Sequence, residues 1–309
     1  MSDCKDRSVS RFVTLLAHCV AMLAVFPICL NAQESVPAPG QRVVFITGST
    51  GGLGRETAVA LTRRGDHVII HGRNTERAKE LLAQIKSEGK GSARFYRADL
   101  GSLGETRKLA DSVLSDYEHL DILVNNAGVF IPDQSVRQVT GDGYELHFQV
   151  NYLSGYVLIK MLTPLLESSA PSRIINVASS QAPIDFDNLM LEENYEGIQA
   201  YLQSKNAQIM MTFYLAGELS ARGVTINALH PSAYMNTDMV IEAGIEPKSS
   251  VETGRDALLR LIDDAVGTGK YFYVLDEKEA IAQAYDADAR SRLMKVSEEL
   301  TSVGARQAD

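Results

Sequence analysis

The sequence predicts an α/β protein with a doubly wound parallel sheet in a single domain. From Arg42 onward, short runs of apolar and β-branched residues alternate with amphipathic stretches of helical length. The apolar runs are nearly continuous, as is typical of strands covered by helices on both faces. Strands separated by helix-length segments pair in parallel through right-handed crossovers. No internal repeat interrupts this pattern, so we expect one domain over residues 42–309.

The elements follow one another in a regular order. A buried strand is predicted at 43–47, and the helix after it carries Leu53, Ala58 and Leu61 on its apolar side. Further strands are predicted at 67–71, 93–96, 121–124, 173–177, 224–228 and 270–274, and further helices at 76–86, 103–115, 143–166 and 200–221.

Composition excludes some partners. The chain has 309 residues and 45% hydrophobic content, so it can bury a sizeable core. Its net charge of -9 shows that it lacks the excess of Lys and Arg that nucleic-acid binding requires. All three cysteines lie within the first thirty residues, so the rest of the chain has no cysteine with which to bind a metal. We therefore expect no thiol nucleophile, no metal site and no nucleic-acid partner.

The N-terminus carries a separate signal. Basic residues precede an apolar run at 12–30, so residues 1–32 are predicted to be a secretory signal or a membrane anchor. Residues 33–41, with Pro37 and Pro39, predict a disordered linker. The basic flank favours a domain outside the cytoplasm. The compartment and the side of the membrane stay open.

A glycine-rich turn predicts a dinucleotide site. The segment Thr-Gly-Ser-Thr-Gly-Gly-Leu-Gly at 47–54 lies between the first strand and the first helix. Glycines permit a tight turn and a close approach to pyrophosphate, and the amides at the helix N-terminus favour negative charge. The cofactor contacts assigned to this turn are Thr47, Gly48, Ser49, Thr50, Gly52, Leu53 and Gly54.

Tyr201 and Lys205 form the core of a predicted catalytic group. They are four residues apart on one predicted helix, so they share a face. An ammonium nearby is expected to lower the tyrosine pKa, which lets the phenol exchange a proton with a carbonyl oxygen. Ser179 is placed to hydrogen-bond the same oxygen. A second pair, Tyr156 and Lys160, precedes the strand that bears Ser179 and is interpreted as structural.

These motifs resemble the short-chain dehydrogenase/reductase superfamily. The turn has the spacing TGxxxGxG, and the resemblance continues over residues 42–275 through Asp99-Leu100, Asn-Asn-Ala-Gly at 125–128, Asn151, Asn-Val-Ala-Ser at 176–179, Tyr201-x-x-x-Lys205 and His230-Pro231. It implies a Rossmann-fold oxidoreductase that transfers a hydride between NAD(P)(H) and an alcohol or carbonyl compound. The members that it resembles include retinol-dehydrogenase-like, steroid-dehydrogenase-like and carbonyl-reductase-like enzymes.

The resemblance also implies roles for single residues. Asp99 and Leu100 would contact the adenine, and Asn125, Ala127 and Gly128 would line the cofactor beneath the nicotinamide. Asn151 would anchor a water that relays protons through Lys205, which would also hold the ribose. The catalytic serine follows the strand asparagine by three residues, which selects Ser179 and leaves Ser180 as the alternative. Around Pro231 the chain departs from the family, since Ser232 replaces a glycine and Thr237, a contact of the carboxamide, comes about one position late.

The cofactor preference is predicted from the end of the second strand. NAD(H) sites usually place an acidic residue there, but this chain has Gly72-Arg73-Asn74. A carboxylate would repel a 2′-phosphate, whereas Arg73 can form charge-assisted hydrogen bonds to it. NADP(H) is therefore the predicted cofactor and NAD(H) the alternative, with Arg73 as a solvated loop residue in the second case.

Two segments near Tyr201 and Lys205 are interpreted as parts of a substrate pocket, and the helix that carries these residues indicates an oligomer. Residues 234–250 are interpreted as a substrate lid, with Tyr234, Met235, Met239 and Ile241 along an apolar pocket, and 186–199 as the opposite wall. A lipophilic carbonyl or alcohol, with membrane association through 12–30, suits this layout. The broad apolar surface of the helix at 200–221 favours a homodimer or homotetramer.

The sequence leaves one main alternative function and argues against two others. A non-catalytic NAD(P) sensor or scaffold on the same fold is the main alternative, although such proteins often lack the tyrosine or the lysine. Epimerases and dehydratases of the related longer-chain type have a TGxxGxxG turn, which this chain lacks. A serine hydrolase is excluded, because there is no GxSxG elbow and His230 is interpreted as structural.

Overall fold

The computed structural model describes residues 35–133 and 135–303. Its centre is one eight-stranded sheet in the order β3-β2-β1-β4-β5-β6-β7-β8, in which β1 to β7 are parallel and β8 is antiparallel. The strands are β1 Val43–Ile46, β2 His67–Gly72, β3 Ser92–Arg97, β4 Ile122–Asn125, β5 Ser172–Val177, β6 Val224–His230, β7 Lys270–Tyr273 and β8 Asp276–Glu277. The doubly wound parallel sheet predicted from the sequence is confirmed.

Helices cover both faces of the sheet, which explains the nearly continuous apolar strands. They are α1 Gly52–Arg64, α2 Thr75–Glu88, α3 Leu103–Asp116, α4 Ser154–Ser168, α5 Gly197–Ser220, α6 Asp238–Glu242, α7 Val251–Asp263 and α8 Ala287–Thr301. One core cluster contains the buried parts of α3, α4, α5 and α8, and the other contains those of α1, α2 and α7. Every residue of β1, β2 and β4 is buried between these layers.

Local signals set the ends of the two helices that flank β2 in the sequence. α2 begins after Asn74, whose side chain accepts hydrogen bonds from the amides of Glu76 and Arg77. α1 ends at Gly65, which adopts a left-handed conformation with φ of 102°. The cap at Gly65 sets where the chain enters β2, and the cap at Asn74 sets where it leaves β2 for α2.

The helix predicted at 143–166 begins later than expected. Gly143 adopts a φ of 91° in a turn, and the first helical residues lead into a π-helical turn, Phe148–Leu153, before α4. A wider turn of this kind is common at functional sites, and apolar periodicity does not reveal it. The prediction also omitted α7 and α8, which pack on opposite faces of the sheet.

The segment after the N-terminal region is ordered where it is described. Ser35 donates to the carbonyl oxygen of Ala93 at 2.7 Å and accepts from its amide at 3.1 Å. Gln41 donates to the carbonyl oxygen of Gly65 at 2.6 Å. Polar side chains thus dock residues 35–41 on β3 and on the end of α1, and the linker at 33–41 stays a prediction.

The region that carries the predicted signal or anchor, 1–32 with its apolar run at 12–30, lies outside the described residues. Within the described part of the chain, none of the helices has both the length and the apolar character that a membrane crossing needs.

Most of the apolar residues of α5 belong to the core. Ile209, Met210 and Met211 are fully buried, and Leu215 and Leu219 are nearly so, within the core shared with α4 and α8. Phe213 is only partly buried, and Tyr214 is exposed. A homodimer or homotetramer stays a prediction.

Candidate active site

A cleft opens at the carboxyl end of the sheet. In this order β1 and β4 are neighbours and their connections leave in opposite directions, which is where doubly wound sheets bind ligands. The cleft has a volume of about 430 Å³ and runs from the glycine turn to Tyr201 and Lys205. Its wall includes these sequence-predicted residues: Gly48, Thr50, Gly52, Leu53, Arg73, Asp99, Leu100, Ala127, Gly128, Ser179, Tyr201, Lys205, Pro231 and Thr237.

The glycine turn is shaped by close packing. Gly48 has a φ of 63°, and a Cβ there would lie 2.9 Å from the Cα of Ala127. A Cβ at Gly54 would lie 2.6 Å from the carbonyl oxygen of Gly48 and 2.6 Å from Nδ2 of Asn126. At Gly48 and Gly54 the turn therefore has no room for a Cβ, and the turn presents backbone to the cleft.

Four of the residues assigned to the cofactor lie behind the wall rather than in it. Thr47 accepts hydrogen bonds at Oγ1 from the amides of Asn126 and Ala127, both at 3.0 Å. Ser49 donates at Oγ to the carbonyl oxygen of Ile46 and accepts from the amide of His71. The remaining two are Gly54, packed inside the turn, and Asn125, which donates to Asn176 at 2.9 Å. These side chains hold β1, β2, β4 and β5 together beneath the cleft.

His71 is a site residue that sequence reasoning missed. Its Nδ1 accepts a hydrogen bond from the amide of Gly48 at 3.1 Å, and Nε2 lies 3.2 Å from the carbonyl oxygen of Ala98. This pairing requires the neutral ring with its proton on Nε2, as assigned from the hydrogen-bond network. Burial lowers the pKa of His71 to about 4, which keeps the ring neutral. Its position at the end of β2, next to the glycine turn, was the available signal.

The end of the cleft near α2 carries mixed charge. Arg73 is exposed and lies 3.8 Å from Asp99, measured between NH1 and Oδ2. Arg77, at the first turn of α2, also lines the cleft and forms an ion pair with Asp238 at 2.6 Å. Sequence reasoning missed Arg77, although its spacing of four from Arg73 places both guanidinium groups at the same end of the helix. Two cations are thus available for a phosphate beyond the glycine turn.

Tyr201 and Ser179 meet at the other end of the cleft. Tyr201 lies on α5 and Ser179 follows β5, and both line this end of the cleft. The Tyr271 hydroxyl donates to the carbonyl oxygen of Ser179 at 3.3 Å, which holds the serine backbone. Ser180 also lines the cleft but is exposed. Of the two serines, Ser179 is the one whose side chain acts on the pKa of the Tyr201 phenol.

The pKa of Tyr201 differs from the sequence expectation. Burial raises it to about 12, and the hydrogen bond with Ser179 opposes this shift only in part. Lys205 was expected to lower it as an ammonium, but burial lowers the pKa of Lys205 itself to about 7. Nζ of Lys205 instead donates to the carbonyl oxygen of Val177 at 2.9 Å and to Oε1 of Gln208 at 3.0 Å. The expectation of a lowered tyrosine pKa is wrong for the protein without cofactor.

Asn151 lies in the π-helical turn and is buried behind the wall of the cleft, which it does not line. Its Oδ1 accepts from the amide of Val129 at 2.7 Å, and its Nδ2 donates to the carbonyl oxygen of Val129 at 3.1 Å and to Oγ of Ser204 at 3.0 Å. A Cβ at Gly128 would lie 3.2 Å from Oδ1 of Asn151 and 3.5 Å from Nζ of Lys205. Asn151 therefore ties the loop after β4 to α5 beside the lysine.

The segment after β6 covers the cleft. Thr237 lies against the glycine turn, since a Cβ at Gly52 would be 3.3 Å from its Cγ2. Tyr234 has a φ of 45° and lines the cleft mouth, where Nζ of Lys248 lies 5.1 Å from the centre of its ring. Such a conformation is uncommon for a residue other than glycine. Met235 and Met239 also line the cleft, whereas Ile241 is exposed outside its wall.

The second tyrosine–lysine pair takes no part in this site. Tyr156 is buried in the core on α4, and neither it nor Lys160 lines the cleft. α4 packs in the same core cluster as α5, but its Tyr156 and Lys160 do not reach the strand end that bears Ser179.

The cleft fits an NAD(P) cofactor. The backbone of its glycine turn packs closely against the end of β4, because Gly48 and Gly54 have no Cβ, the cleft lies at the N-terminus of α1, and cationic side chains line one end. At the other end Ser179, Tyr201 and Lys205 lie together, where an alcohol or carbonyl group can meet a proton donor.

Comparison with known proteins gives the same assignment. A profile described as short chain dehydrogenase matches residues 42–246. Retinol dehydrogenase 14 of Homo sapiens is 33% identical over 289 residues, which cover 83% of this chain and 85% of that protein. An uncharacterized protein from Mycobacterium Paratuberculosis has a TM-score of 0.70 at 27% identity over 87% of this chain and 96% of its own. The Pseudomonas aeruginosa RhlG/NADP active-site complex has a TM-score of 0.62 at 26% identity over 75% of this chain and 94% of its own.

The profile covers most of the sheet and the whole Tyr201–Lys205 region, and the fold and the cleft agree with it. The chain belongs to the short-chain dehydrogenase family and is an NAD(P)-dependent oxidoreductase that acts on an alcohol or carbonyl group.

Proposed function

We propose that the protein reduces lipophilic aldehydes or ketones, or oxidises the corresponding primary or secondary alcohols, with NADP(H) as the preferred cofactor. The observation that carries this proposal is the placement of Tyr201 and Ser179 at one end of the cleft and of Arg73 and Arg77 at the other. A bound reduced nicotinamide would supply the hydride to the carbonyl carbon.

The chain's own residues handle the oxygen and its proton. Tyr201 donates its phenolic proton to the carbonyl oxygen during reduction and accepts it back during oxidation. Ser179 hydrogen-bonds the same oxygen and orients it. Lys205 holds the ribose of the cofactor and passes protons toward solvent through a water held by Asn151. The pKa of about 12 for Tyr201 keeps the phenol protonated at neutral pH, which is the form that a reduction uses.

The preference for NADP(H) is supported by charge. Arg73 and Arg77 line the part of the cleft beyond the glycine turn. Guanidinium groups form paired, charge-assisted hydrogen bonds with phosphate, and two of them favour a 2′-phosphate over a free ribose hydroxyl. The relative from Pseudomonas aeruginosa is described as an NADP complex. Arg73→Asp should lower the ratio of NADPH to NADH efficiency by at least tenfold, and an unchanged ratio would sink this assignment.

A lipophilic substrate is supported by the mouth of the cleft. Phe130, Ile198, Tyr234 and Met239 line it, and the last three are exposed large hydrophobic residues. Apolar surface at a cleft mouth is typical of a binding site for an apolar ligand. Relatives named retinol dehydrogenase make retinal and retinol the first probes.

The experiment compares wild type with Tyr201→Phe, both as the full chain. NADPH oxidation is followed with aliphatic, aromatic, steroid and retinoid carbonyls, and NADPH affinity is measured separately by fluorescence. We expect the phenylalanine variant to lose about 10²- to 10⁴-fold in kcat, the range of a single general acid, with its NADPH affinity retained. Tight NADPH binding without turnover of any carbonyl would favour the sensor or scaffold function instead.

We also propose that residues 1–32 direct the chain to a membrane, as a signal or an anchor, where lipophilic substrates concentrate. This proposal rests on the sequence of 12–30. Flotation of the full chain with lipid vesicles, compared with a chain that begins at Ser35, tests the anchor. Equal flotation of the two chains contradicts it.

A further inference from the structure

We propose that Glu145 and His147 form a positioning pair for the reaction at Tyr201. The pair holds the loop 129–131, whose Phe130 ring packs on the phenol, and it also holds the opposite wall of the substrate region. This inference rests on the proposed role of Tyr201, and it adds two residues that neither touch the cleft nor occur in the motifs discussed above.

Glu145 is a fully buried carboxylate with three hydrogen-bond donors. His147 Nδ1 lies 2.8 Å from its Oε1, the amide of Phe148 donates to Oε2 at 2.7 Å, and the hydroxyl of Tyr195 donates to Oε1 at 3.2 Å. A buried carboxylate is unfavourable unless its oxygens are paired, and here both are. The three donors come from the start of the π-helical turn and from the segment between β5 and α5.

This arrangement sets the tautomer of His147. Because Nδ1 donates to the carboxylate, Nε2 of the neutral ring is an acceptor, and it lies 3.2 Å from the amide nitrogen of Ile131. The buried carboxylate thus orients an imidazole that receives a backbone N–H from the loop after β4. A leucine at 147 could make neither contact.

The loop is held from two sides, with Phe130 between them. Asn151 pairs with both the amide and the carbonyl oxygen of Val129, and His147 accepts from Ile131. The centroid of the Phe130 ring lies 4.5 Å from that of the Tyr201 ring. The centroid of the His147 ring lies 6.3 Å from that of the Tyr201 ring, in an edge-to-face arrangement. Any shift of the loop therefore moves the surface against which the phenol packs. A displacement of about 1 Å at a reacting group can lower a rate by about 10²-fold.

The other contact of Glu145 reaches the opposite wall. Tyr195 belongs to the segment 186–199 that the sequence placed between the serine and the tyrosine, and its hydroxyl ends on the same carboxylate oxygen as His147. One buried carboxylate therefore connects the loop 129–131 with the segment 186–199, of which Ile198 lines the cleft. The contacts described for the pair involve none of the glycine turn, Arg73 or Arg77, so the pair should affect the substrate and leave the cofactor affinity unchanged.

The test uses two substitutions that each keep half of the histidine's function. The amide of His147→Gln can reach the place of Nε2 and accept from Ile131, whereas that of His147→Asn takes the place of Nδ1 and can only donate to Glu145. We expect His147→Gln to keep kcat/KM within about threefold of wild type and His147→Asn to lose about 10- to 100-fold. The dissociation constant for NADPH should be the same in all three proteins, and hydrogen exchange at the Ile131 amide should accelerate only in His147→Asn.

A milder variant keeps the inference testable if the changes at 147 prevent folding. Tyr195→Phe removes one hydroxyl at a partly exposed position, and we expect about a tenfold rise in KM for a bulky lipophilic carbonyl with NADPH affinity unchanged. The inference is overturned if Gln and Asn at 147 behave alike, if the exchange of Ile131 does not respond, or if Tyr195→Phe keeps the wild-type KM. Retained turnover in Tyr201→Phe would instead overturn the proposed function, and the exchange of Ile131 would still report on the hydrogen bond itself.

Discussion

The Nζ atom of Lys205 lies 5.7 Å from the centre of the Tyr201 ring, and burial shifts the pKa values of the two groups in opposite directions. The pKa of the phenol rises to about 12 and that of the lysine falls to about 7, since burial disfavours the charged form of each. Without cofactor, the pair is a neutral phenol beside a lysine that is about half protonated at neutral pH. A charged cofactor beside Lys205 would favour the ammonium and so change the balance between the two groups.

The lowered lysine pKa predicts a pH dependence of stability. The unfolded chain holds the Lys205 proton up to a pKa of about 10.5 and the folded chain only up to about 7, so between these values the unfolded state binds more protons. Stability from this group therefore rises as pH increases from about 7 toward 10.5. The free energy of unfolding of wild type should gain on that of Lys205→Met by up to about 1.4 kcal/mol per pH unit. Urea unfolding of both proteins at pH 7, 8 and 9 tests this, and parallel curves would contradict it.

The ion pair between Arg77 and Asp238 predicts a change in cofactor selectivity. Asp238 holds the guanidinium at 2.6 Å, so it competes with a phosphate for the same donors. Asp238→Asn should raise the ratio of NADPH to NADH efficiency several-fold, and Arg77→Ala should lower it about 10-fold or more. Arg63→Ala is the matched control, since Arg63 lies on α1 and pairs with Glu88 outside the cleft. A ratio that changes equally in Arg63→Ala would show a general effect of charge.

Two glycines of the same turn should respond differently to one methyl group. A Cβ at Gly54 would lie 2.6 Å from the backbone oxygen of Gly48, whereas a Cβ at Gly51 would meet only the mobile end of Arg77 at 3.4 Å. Gly54→Ala should destabilise the protein without cofactor by about 1–3 kcal/mol, as overpacking does, and Gly51→Ala should not. Thermal unfolding of both variants decides the matter. An equal loss in the two would mean that the short contact at Gly54 does not set the cost of the added methyl group.

Tyr234 should reverse the usual ranking of alanine and glycine. With a φ of 45°, a residue that has a Cβ costs about 1–2 kcal/mol there, which glycine avoids. Tyr234→Gly should therefore be more stable than Tyr234→Ala, while both raise KM for a lipophilic carbonyl to the same extent because both remove the ring. At exposed Tyr214 within α5, alanine should be the more stable of the pair by about 1 kcal/mol. The same ranking at both positions would remove the argument from strain.

Much of the fold followed from local patterns. The apolar runs at 43–47 and 67–71 form buried strands, Gly65 ends α1 and Asn74 begins α2, as Gly and Asn commonly do. The π-helical turn at Asn151 could not be predicted in this way, since it adds a residue to a turn without changing the apolar character of its neighbours. The long buried segment thus read as one uninterrupted helix.

The sequence by itself determined the family and predicted Ser179, Tyr201 and Lys205 as the catalytic residues, because their spacing along the chain matches the pattern of that family. Tertiary structure decided which of those residues face the cleft. Thr47 and Ser49 turn inward because β2 and β4 offer them backbone partners, whereas Arg77 and Tyr234 reach the cleft from other elements. It also decided the pKa values of Tyr201 and Lys205 and the pairing of Glu145 with His147, since burial and long-range hydrogen bonds exist only after segments distant in sequence have packed together.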